Sequence, residues 1–295
     1  LRRRFWRVGV LNHLFMTLKP STHDGTRDPS CTELPRRVSA FVRASSFGPY
    51  LPAVDAKLSG LGVNAYVFGG AVRDALCRRA TKDLDLTVDG PVAQVGPKVA
   101  EAIGGTYFDL DKERGIGRVV MANPTAITID LTSLKSGDSI ERHLRGRDFT
   151  IDAMAVRLSD LANDDCEVID PLNGITDLRS GVVRAVSPEV LDEDPIRLLR
   201  GPRLASVNQL RIDDDTIHWI GQRASLLHQV SPERIREELV KILAAPSVTA
   251  SLRMLDRLNL LITILPELGC ARGVAQPNEH YYDVLNHMIE TPGAL

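Results

Sequence analysis

The pattern of apolar and polar positions divides the chain into a first part of mixed character and a second part that is helical. Short apolar or alternating runs predict strands near residues 65–68, 84–88, 106–110, 117–121 and 126–132. Helical spacing predicts helices over residues 50–60, 71–79 and 91–103. After about Pro188 the strand signals vanish and helical periodicity continues. The pattern therefore predicts an α+β domain, with a mixed sheet and flanking helices, followed by an all-α region.

Length and composition are those of a globular protein with about two domains. Of the 295 residues, 43% are hydrophobic and 25% are charged, and the net charge is −2, so any nucleic-acid surface has to be local. The longest apolar run, near residues 258–265, is too short for a membrane span of roughly 18–20 residues, and no membrane partner is expected. The isolated cysteines predict neither a zinc knuckle nor disulfides and fit a reducing, cytoplasmic compartment; they are Cys31, Cys77, Cys166 and Cys270.

The two ends of the chain differ from its middle. Arginines crowd residues 1–23, no acidic residue precedes Asp24, and turn-forming residues follow over 19–33. We expect residues 1–45 to form a basic arm and linker without fixed structure; an organellar transit peptide is the alternative. The chain begins with Leu1 and ends at Leu295, just after a helical segment, which suggests a fragment.

A strand that runs into two glycines and then a helix is the first candidate site. Gly69 and Gly70 allow the backbone to approach an anion closely, and Arg73 in the following turn can add a charged fork to a phosphate. A Gly-Gly pair before a helix is also often only a tight turn, so this signal is weak by itself.

Paired carboxylates follow about ten residues later. Asp83 and Asp85 are two positions apart on a predicted strand, so both face the same side of the sheet. Like charges that close repel each other unless a cation lies between them, and oxygen ligands of this kind favour Mg²⁺. Asp130, in the alternating run of residues 127–131, is a candidate third catalytic carboxylate; an exposed strand acid is the alternative.

These motifs together resemble a known family. Residues 69–74 read GGAVRD and residues 82–86 read KDLDL. This order is similar to the opening motifs of class II tRNA nucleotidyltransferases (CCA-adding enzymes) and bacterial poly(A) polymerases. The resemblance implies a nucleotidyltransferase head of the DNA polymerase β type followed by a helical neck and body. It also implies that Asp83 and Asp85 hold catalytic Mg²⁺.

Residues 147–155 read RDFTIDAMA and resemble the family motif RRDFTINAMA. The resemblance implies that Arg147 and Asp148 help to hold the ribose and triphosphate of the nucleotide. Two positions depart from the motif, because Gly146 replaces the first arginine and Asp152 replaces an asparagine.

Residues 193–200 read EDPIRLLR and resemble the family motif EDPLRLLR. The resemblance implies that Asp194 and Arg197 read the base edges of incoming CTP and ATP, as an acceptor and a donor respectively. Arg200 and Arg203 continue the same three-residue spacing and are further candidates for nucleotide binding. Because a proline inside a helix costs about 3 kcal/mol, we predict that Gly201-Pro202 interrupts this helix, with a kink after Arg200, which puts the contribution of Arg203 in doubt.

Three further segments resemble later parts of the family. Residues 170–178 (DPLNGITDL) predict a turn that leads out of the head, or simply a loop with a helix cap. Residues 231–239 (SPERIREEL) predict a scaffold helix that begins after Ser231 and Pro232. His280 and His287 lie where some relatives begin a phosphohydrolase-like domain, and a structural role is expected for both.

The resemblance implies a Mg²⁺-dependent RNA nucleotidyltransferase that needs no template. It would add CMP and AMP from CTP and ATP to the 3′ end of tRNA (CCA addition) and release pyrophosphate. The alternatives are a poly(A) polymerase, an enzyme that adds only part of CCA, a small-molecule nucleotidyltransferase and an inactive RNA-binding homologue. We expect a head over residues 46–180, a neck that reads the base and binds RNA over 181–245, and the start of a helical body over 246–295. The oligomeric state is left open.

Overall fold

A computed structural model describes residues 38–79, 83–122, 126–135, 137–162, 166–276 and 281–293. Residues 38–44 are helical, and the side chains of Val38 and Val42 are fully buried. The linker expected to extend through residue 45 is therefore shorter, because apolar residues four apart place one face of this helix in the core. The basic segment 1–37 lies outside the described residues. Within the described segments, no helix has both the length and the apolar content needed to cross a membrane.

A seven-stranded mixed sheet forms the first part of the protein, in the order β3-β4-β5-β2-β1-β6-β7. Strands β2 and β5 are parallel, and the other neighbouring pairs are antiparallel. The strands are β1 (Ala65–Phe68), β2 (Asp83–Val88), β3 (Thr106–Asp111), β4 (Ile116–Met121), β5 (Ile127–Ser133), β6 (Ala155–Arg157) and β7 (Val168–Ile169). The helices of this first part are α1 (Leu51–Ser59), α2 (Gly70–Leu76), α3 (Val92–Ile103) and α4 (Ile140–Arg145).

The two faces of the sheet differ in what covers them. One face packs against α1 and α3 and carries the main core, in which Leu84 and Leu86 of β2 are fully buried. Tyr66 and Phe68 of β1 point to the other face, where they pack with α4 and the segment after it. Because side chains alternate along a strand, the polar positions of β2 and β5 face this second side.

The second part of the protein is a cluster of helices around its own apolar core. These helices are α5 (Gly174–Arg179), α6 (Glu189–Glu193), α7 (Arg197–Asn208), α8 (Asp214–Arg223), α9 (Pro232–Leu243), α10 (Val248–Arg257), α11 (Leu260–Ile264) and α12 (Val284–Glu290). The mixed sheet with flanking helices followed by a helical region confirms the predicted fold class.

Two details of the helical part differ from the sequence-based expectation. A short strand, β9 (Arg211–Ile212), lies beyond Pro188 and pairs in parallel with β8 (Val182–Val183). Such two-residue strands are too short to leave an alternating pattern in the sequence.

Helix α7 also continues through Gly201 and Pro202, so the predicted interruption is wrong. A Cβ atom on Gly201 would lie 3.0 Å from Cζ of Phe149, which shows how closely the helix approaches the segment after α4. Pro202 is buried, and packing along this helix offsets the one backbone donor that the proline removes.

The remaining segments agree with the simpler expectations for them. Asp170 accepts hydrogen bonds from the backbone nitrogens of Gly174 and Ile175, so the 170–178 segment is a loop with a helix cap. Helix α9 begins at Pro232, with Ser231 in the N-cap position. His287 lies on α12, whereas His280 lies outside the described residues.

Candidate active site

Gly69 lies where three segments of the first part meet. Its φ of +68° and ψ of −131° are a backbone conformation that only glycine adopts without strain. A Cβ atom on this residue would lie 3.8 Å from the backbone oxygen of Asp152, 3.9 Å from Oδ2 of Asp85 and 4.0 Å from Nη2 of Arg147. The backbone nitrogen of Gly69 donates to the oxygen of Met154 at 3.0 Å, which holds the loop beside β6. The glycine loop, the carboxylate strand and the Arg147 segment therefore converge on one point.

Two carboxylates stand side by side on the parallel strands next to this loop. In the register of these two strands, Asp83 of β2 lies opposite Thr128 of β5, and Asp85 lies opposite Asp130. Asp130 accepts a two-fold hydrogen bond from Arg118 of β4, at 2.6 Å from Nε and 2.8 Å from Nη2. This arginine, which was not predicted from the sequence, fixes the orientation of the Asp130 carboxylate.

The donor set near the loop suits a hard cation. Asp85 brings a carboxylate oxygen beside the loop, the kind of ligand that Mg²⁺ prefers. Among the side chains that the structure describes, no three or more histidine, cysteine or carboxylate groups gather into a metal-binding cluster. The Asp83 side chain lies outside that described set.

Arg73 is folded back over the glycine loop and held by two carboxylates. Its Nη2 would lie 3.4 Å from a Cβ atom on Gly70. Its Nε donates to Asp74 at 3.0 Å, and its Nη1 donates to Asp152 at 2.5 Å. Asp152 is the residue that replaces the asparagine of the family motif. Burial raises the pKa of its carboxyl group; the positive charge of Arg73 opposes this rise, and the negative charge of Asp148 adds to it. The predicted phosphate-binding arginine therefore already carries a buried partner.

Arg147 stacks on an aromatic ring beside the loop. Its guanidinium carbon lies 4.7 Å from the ring centroid of Phe68, a cation–π distance. His143 of α4 meets the same ring edge-on at 5.7 Å. Burial, reinforced by the positive charge of Arg147, lowers the pKa of His143 to about 4, so this imidazole is neutral at pH 7.

Asp148 joins this site to the helical part. Its Oδ2 accepts a hydrogen bond from Nη1 of Arg200 on α7 at 2.6 Å, and its Oδ1 accepts one from the backbone nitrogen of Phe149 at 3.1 Å. Burial alone would raise the pKa of Asp148, but Arg200 and Arg147 lower it to about 2. Asp148 and Arg200, both predicted to bind nucleotide, thus form an ion pair in which Asp148 is buried and Arg200 is partly exposed.

The predicted base-reading residues lie at the junction of α6 and α7. Asp194 follows the end of α6, and both its oxygens accept hydrogen bonds from Arg234 of α9, at 3.0 Å and 2.8 Å. Nη1 of Arg197 donates to the backbone oxygen of Val190 at 2.9 Å. Arg203 donates to Glu238 of α9 at 2.6 Å, so it stays on the helix and is tied to the neighbouring one.

Several partners in this arrangement were not predicted from the sequence, among them Arg118, Asp152 and Arg234. Asp152 carried a visible signal, since it departs from the family motif. Arg234 lies inside a segment interpreted as scaffold, and Arg118 lies on an ordinary strand, so neither carried a local signal.

Comparison with known proteins identifies the family of this chain. A family model described as the poly(A) polymerase head domain matches residues 65–184. A second model, described as the probable RNA- and SrmB-binding site of polymerase A, matches residues 209–271. The chain belongs to the poly(A) polymerase and tRNA nucleotidyltransferase family.

Relatives within this family differ in the nucleotides named for them. A CC-adding tRNA nucleotidyltransferase of Geobacter sulfurreducens is 40% identical over 211 residues, which cover 71% of this chain and 46% of that protein. An A-adding tRNA nucleotidyltransferase of Deinococcus radiodurans is 33% identical over 231 residues, which cover 77% of this chain and 50% of that protein.

A solved structure has the same fold. The CCA-adding enzyme of Thermotoga maritima, complexed with tRNA, is similar at a TM-score of 0.64 and 25% identity, over 86% of this chain and 55% of that one. The chain spans about half the length of the curated relatives described here.

Proposed function

We propose that this protein is an RNA nucleotidyltransferase that adds CMP and AMP, from CTP and ATP, to the 3′ end of tRNA without a template. The observation that carries the proposal is the convergence of Asp85, Arg147 and the Gly69 loop, with Asp130 in register beside Asp85. A carboxylate pair next to a cationic loop is the arrangement that nucleotidyl transfer from a triphosphate requires.

In the proposed reaction, the oxygen of the terminal 3′ hydroxyl forms a bond to the α-phosphorus of the nucleotide. The bond from that phosphorus to the β-phosphate oxygen breaks, pyrophosphate leaves, and the hydroxyl proton is released. Asp83 and Asp85 would hold Mg²⁺, and Asp130 would stand as the third carboxylate. When bound, such an ion lowers the pKa of the attacking hydroxyl and neutralises charge on the leaving group.

The triphosphate would lie against the backbone of Gly69 and Gly70, with Arg73 and Arg147 as the nearest cations. Because Asp74 and Asp152 already neutralise Arg73, we assign it a fixed donor geometry rather than a free positive charge. Arg147 has a buried Nε with no hydrogen-bond partner in the described part of the chain. This unsatisfied donor makes Arg147 the cation with more capacity left for a phosphate oxygen.

Base selection would take place at the start of α7. The Asp194 carboxylate accepts from the exocyclic amine that cytosine and adenine share, and Arg197 donates to ring acceptors. Asp148 and Arg200 would act on the nucleotide through their mutual ion pair, which holds α7 against the segment of Arg147. Arg203 would contribute in the same way through Glu238.

Partial addition is the second candidate function. Relatives at 40% and 33% identity are named CC-adding and A-adding enzymes respectively, so addition of only C or only A fits the same site. The division into head, neck and body, with boundaries near residues 180 and 245, and the cytoplasmic location are further parts of the proposal.

The test is extension of a tRNA transcript that lacks its CCA end, with Mg²⁺ and CTP, ATP or both. We expect two C and one A to be added, and addition to be abolished by Asp83→Ala and by Asp85→Ala. Asp215→Ala, which removes an exposed carboxylate from α8, is the matched control and should retain activity. Addition of C alone or A alone would establish the second candidate, and runs of A would indicate a poly(A) polymerase. No extension by the wild-type chain with any nucleotide would refute the proposal.

A further inference from the structure

Both oxygens of the Asp194 carboxylate are bound by one side chain from a different helix. Nη1 of Arg234 donates to Oδ1 at 3.0 Å, and Nη2 donates to Oδ2 at 2.8 Å. This parallel arrangement fixes the plane of the carboxylate as well as its position. Neither side chain is buried, because the exposed fraction is 49% for the Arg234 side chain and 31% for the Asp194 side chain.

The backbone around Arg234 is itself held in place. Pro232 occupies the first position of α9, which sets the entry of the helix. One turn beyond Arg234, Glu238 accepts a hydrogen bond from Arg203 at 2.6 Å, so α9 is tied to α7 at that level. The Asp194 carboxylate is therefore positioned by a helix that neither contains it nor adjoins it in sequence.

An ionised carboxylate has about four acceptor positions, and Arg234 uses two of them. The backbone of Ile196 also hydrogen-bonds to this carboxylate, which leaves acceptor capacity in the plane that Arg234 fixes for one exocyclic amine. Cytosine and adenine present such an amine, whereas uracil and guanine present a carbonyl oxygen at the corresponding position, which a carboxylate repels. Discrimination between the two groups depends on the carboxylate holding one orientation, because a freely rotating one could turn away from the carbonyl.

We propose that Arg234 is a specificity-determining positioning residue, which orients the Asp194 carboxylate so that it accepts cytosine and adenine and rejects uracil and guanine. The inference rests on the proposed function, in which Asp194 reads the base. It adds a residue from the segment that the sequence analysis interpreted only as scaffold.

The experiment compares Arg234→Ala and Arg234→Lys with wild type, using kcat/KM for each of the four nucleoside triphosphates on the tRNA transcript. In Arg234→Ala we expect the preference for the cognate nucleotide, CTP or ATP, over UTP and GTP to fall about tenfold or more, which corresponds to about 1.4 kcal/mol. Arg234→Lys keeps the charge but not the planar fork, and should lie between the two. Arg236→Ala is the matched control, because Arg236 is an exposed arginine two positions further along the same helix.

A merely structural role for Arg234 would lower the melting temperature and slow all four nucleotides to the same degree. That result, or an unchanged preference in an active Arg234→Ala protein, would overturn the inference and leave the proposed function intact. Improved use of CTP or ATP would mean that Arg234 blocks Asp194 instead of positioning it, and would also overturn the inference.

Failure of the proposed function has a different signature, which is a wild-type chain inactive with every nucleotide. In that case calorimetric titration with CTP, ATP and UTP still decides the inference, because the preference is then read from binding constants. If wild type binds CTP or ATP more tightly than UTP and Arg234→Ala does not, the inference is supported. If wild type shows no such preference, the inference is overturned together with the proposed function.

Discussion

Replacing Asp148 with alanine should destabilise the protein far more than removal of an exposed carboxylate. Asp148 is 2% exposed, and its oxygens accept hydrogen bonds from Arg200 and from the backbone nitrogen of Phe149. The substitution leaves the Arg200 guanidinium without its carboxylate, and Nε of that arginine already lacks a partner in the described residues. Breaking a fully buried ion pair from one side costs about 3–5 kcal/mol, and because the Arg200 side chain is 32% exposed, we expect a loss near the lower end of that range. That is a large share of the roughly 5–15 kcal/mol by which domains are stable.

The measurement is urea unfolding followed by circular dichroism, with the free energy of unfolding extrapolated to water. Asp192→Ala is the matched control, because Asp192 also pairs with an arginine, Arg223, but lies at the surface. An exposed pair of this type contributes about 0–1 kcal/mol. Similar losses in the two variants, or a loss below about 1 kcal/mol for Asp148→Ala, would refute the reasoning.

The pH dependence gives a second check on the same pair. The pKa of Asp148 is about 2 in the folded protein, below its ordinary value of 3.8. A group with a lowered folded pKa contributes its stability above the unfolded value and loses it as the pH falls through the folded one. The Asp148 contribution should therefore fade between about pH 4 and pH 2, and Asp148→Asn should remove this part of the acid sensitivity. An unchanged acid profile would contradict the assignment.

Three further predictions concern the glycine loop and its surroundings. Gly69→Ala should cost about 1–3 kcal/mol in urea unfolding because of its positive φ, whereas Gly62→Ala, at a positive φ outside the site, should cost stability but not addition activity. Asp152→Asn keeps an acceptor for Arg73 but removes a negative charge, so KM for the nucleotide should fall several-fold in steady-state assays; an unchanged or higher KM would count against the charge argument. The pKa of His143 is lowered to about 4 in the folded protein, so the unfolded state binds more protons between about pH 6.5 and pH 4. Stability should therefore fall as the pH is lowered over that range, and His143→Phe should reduce this loss in thermal melts recorded at each pH.

Local pattern determined much of the first part of this protein. The alternation of residues 127–131 predicted both a strand and the side on which Asp130 lies, because side chains on a strand alternate between its faces. The strand, Gly-Gly and helix order around Gly69 predicted the loop, since only glycine adopts its backbone angles without strain. Each family motif was recognisable from the sequence because its residues are consecutive in the chain.

Tertiary structure alone decided which side chains face each other. The partners Arg73 and Asp152 are 79 positions apart, and Asp194 and Arg234 are 40 apart. No periodicity within a strand or helix carries information over such separations, because these contacts depend on how whole elements pack. Packing also overrode local propensity at Gly201-Pro202, where the sequence predicted an interruption and the helix continues. The sequence by itself thus determined the elements and the residue types of the candidate site, and the packing of helices against the sheet decided how those residues are paired and oriented.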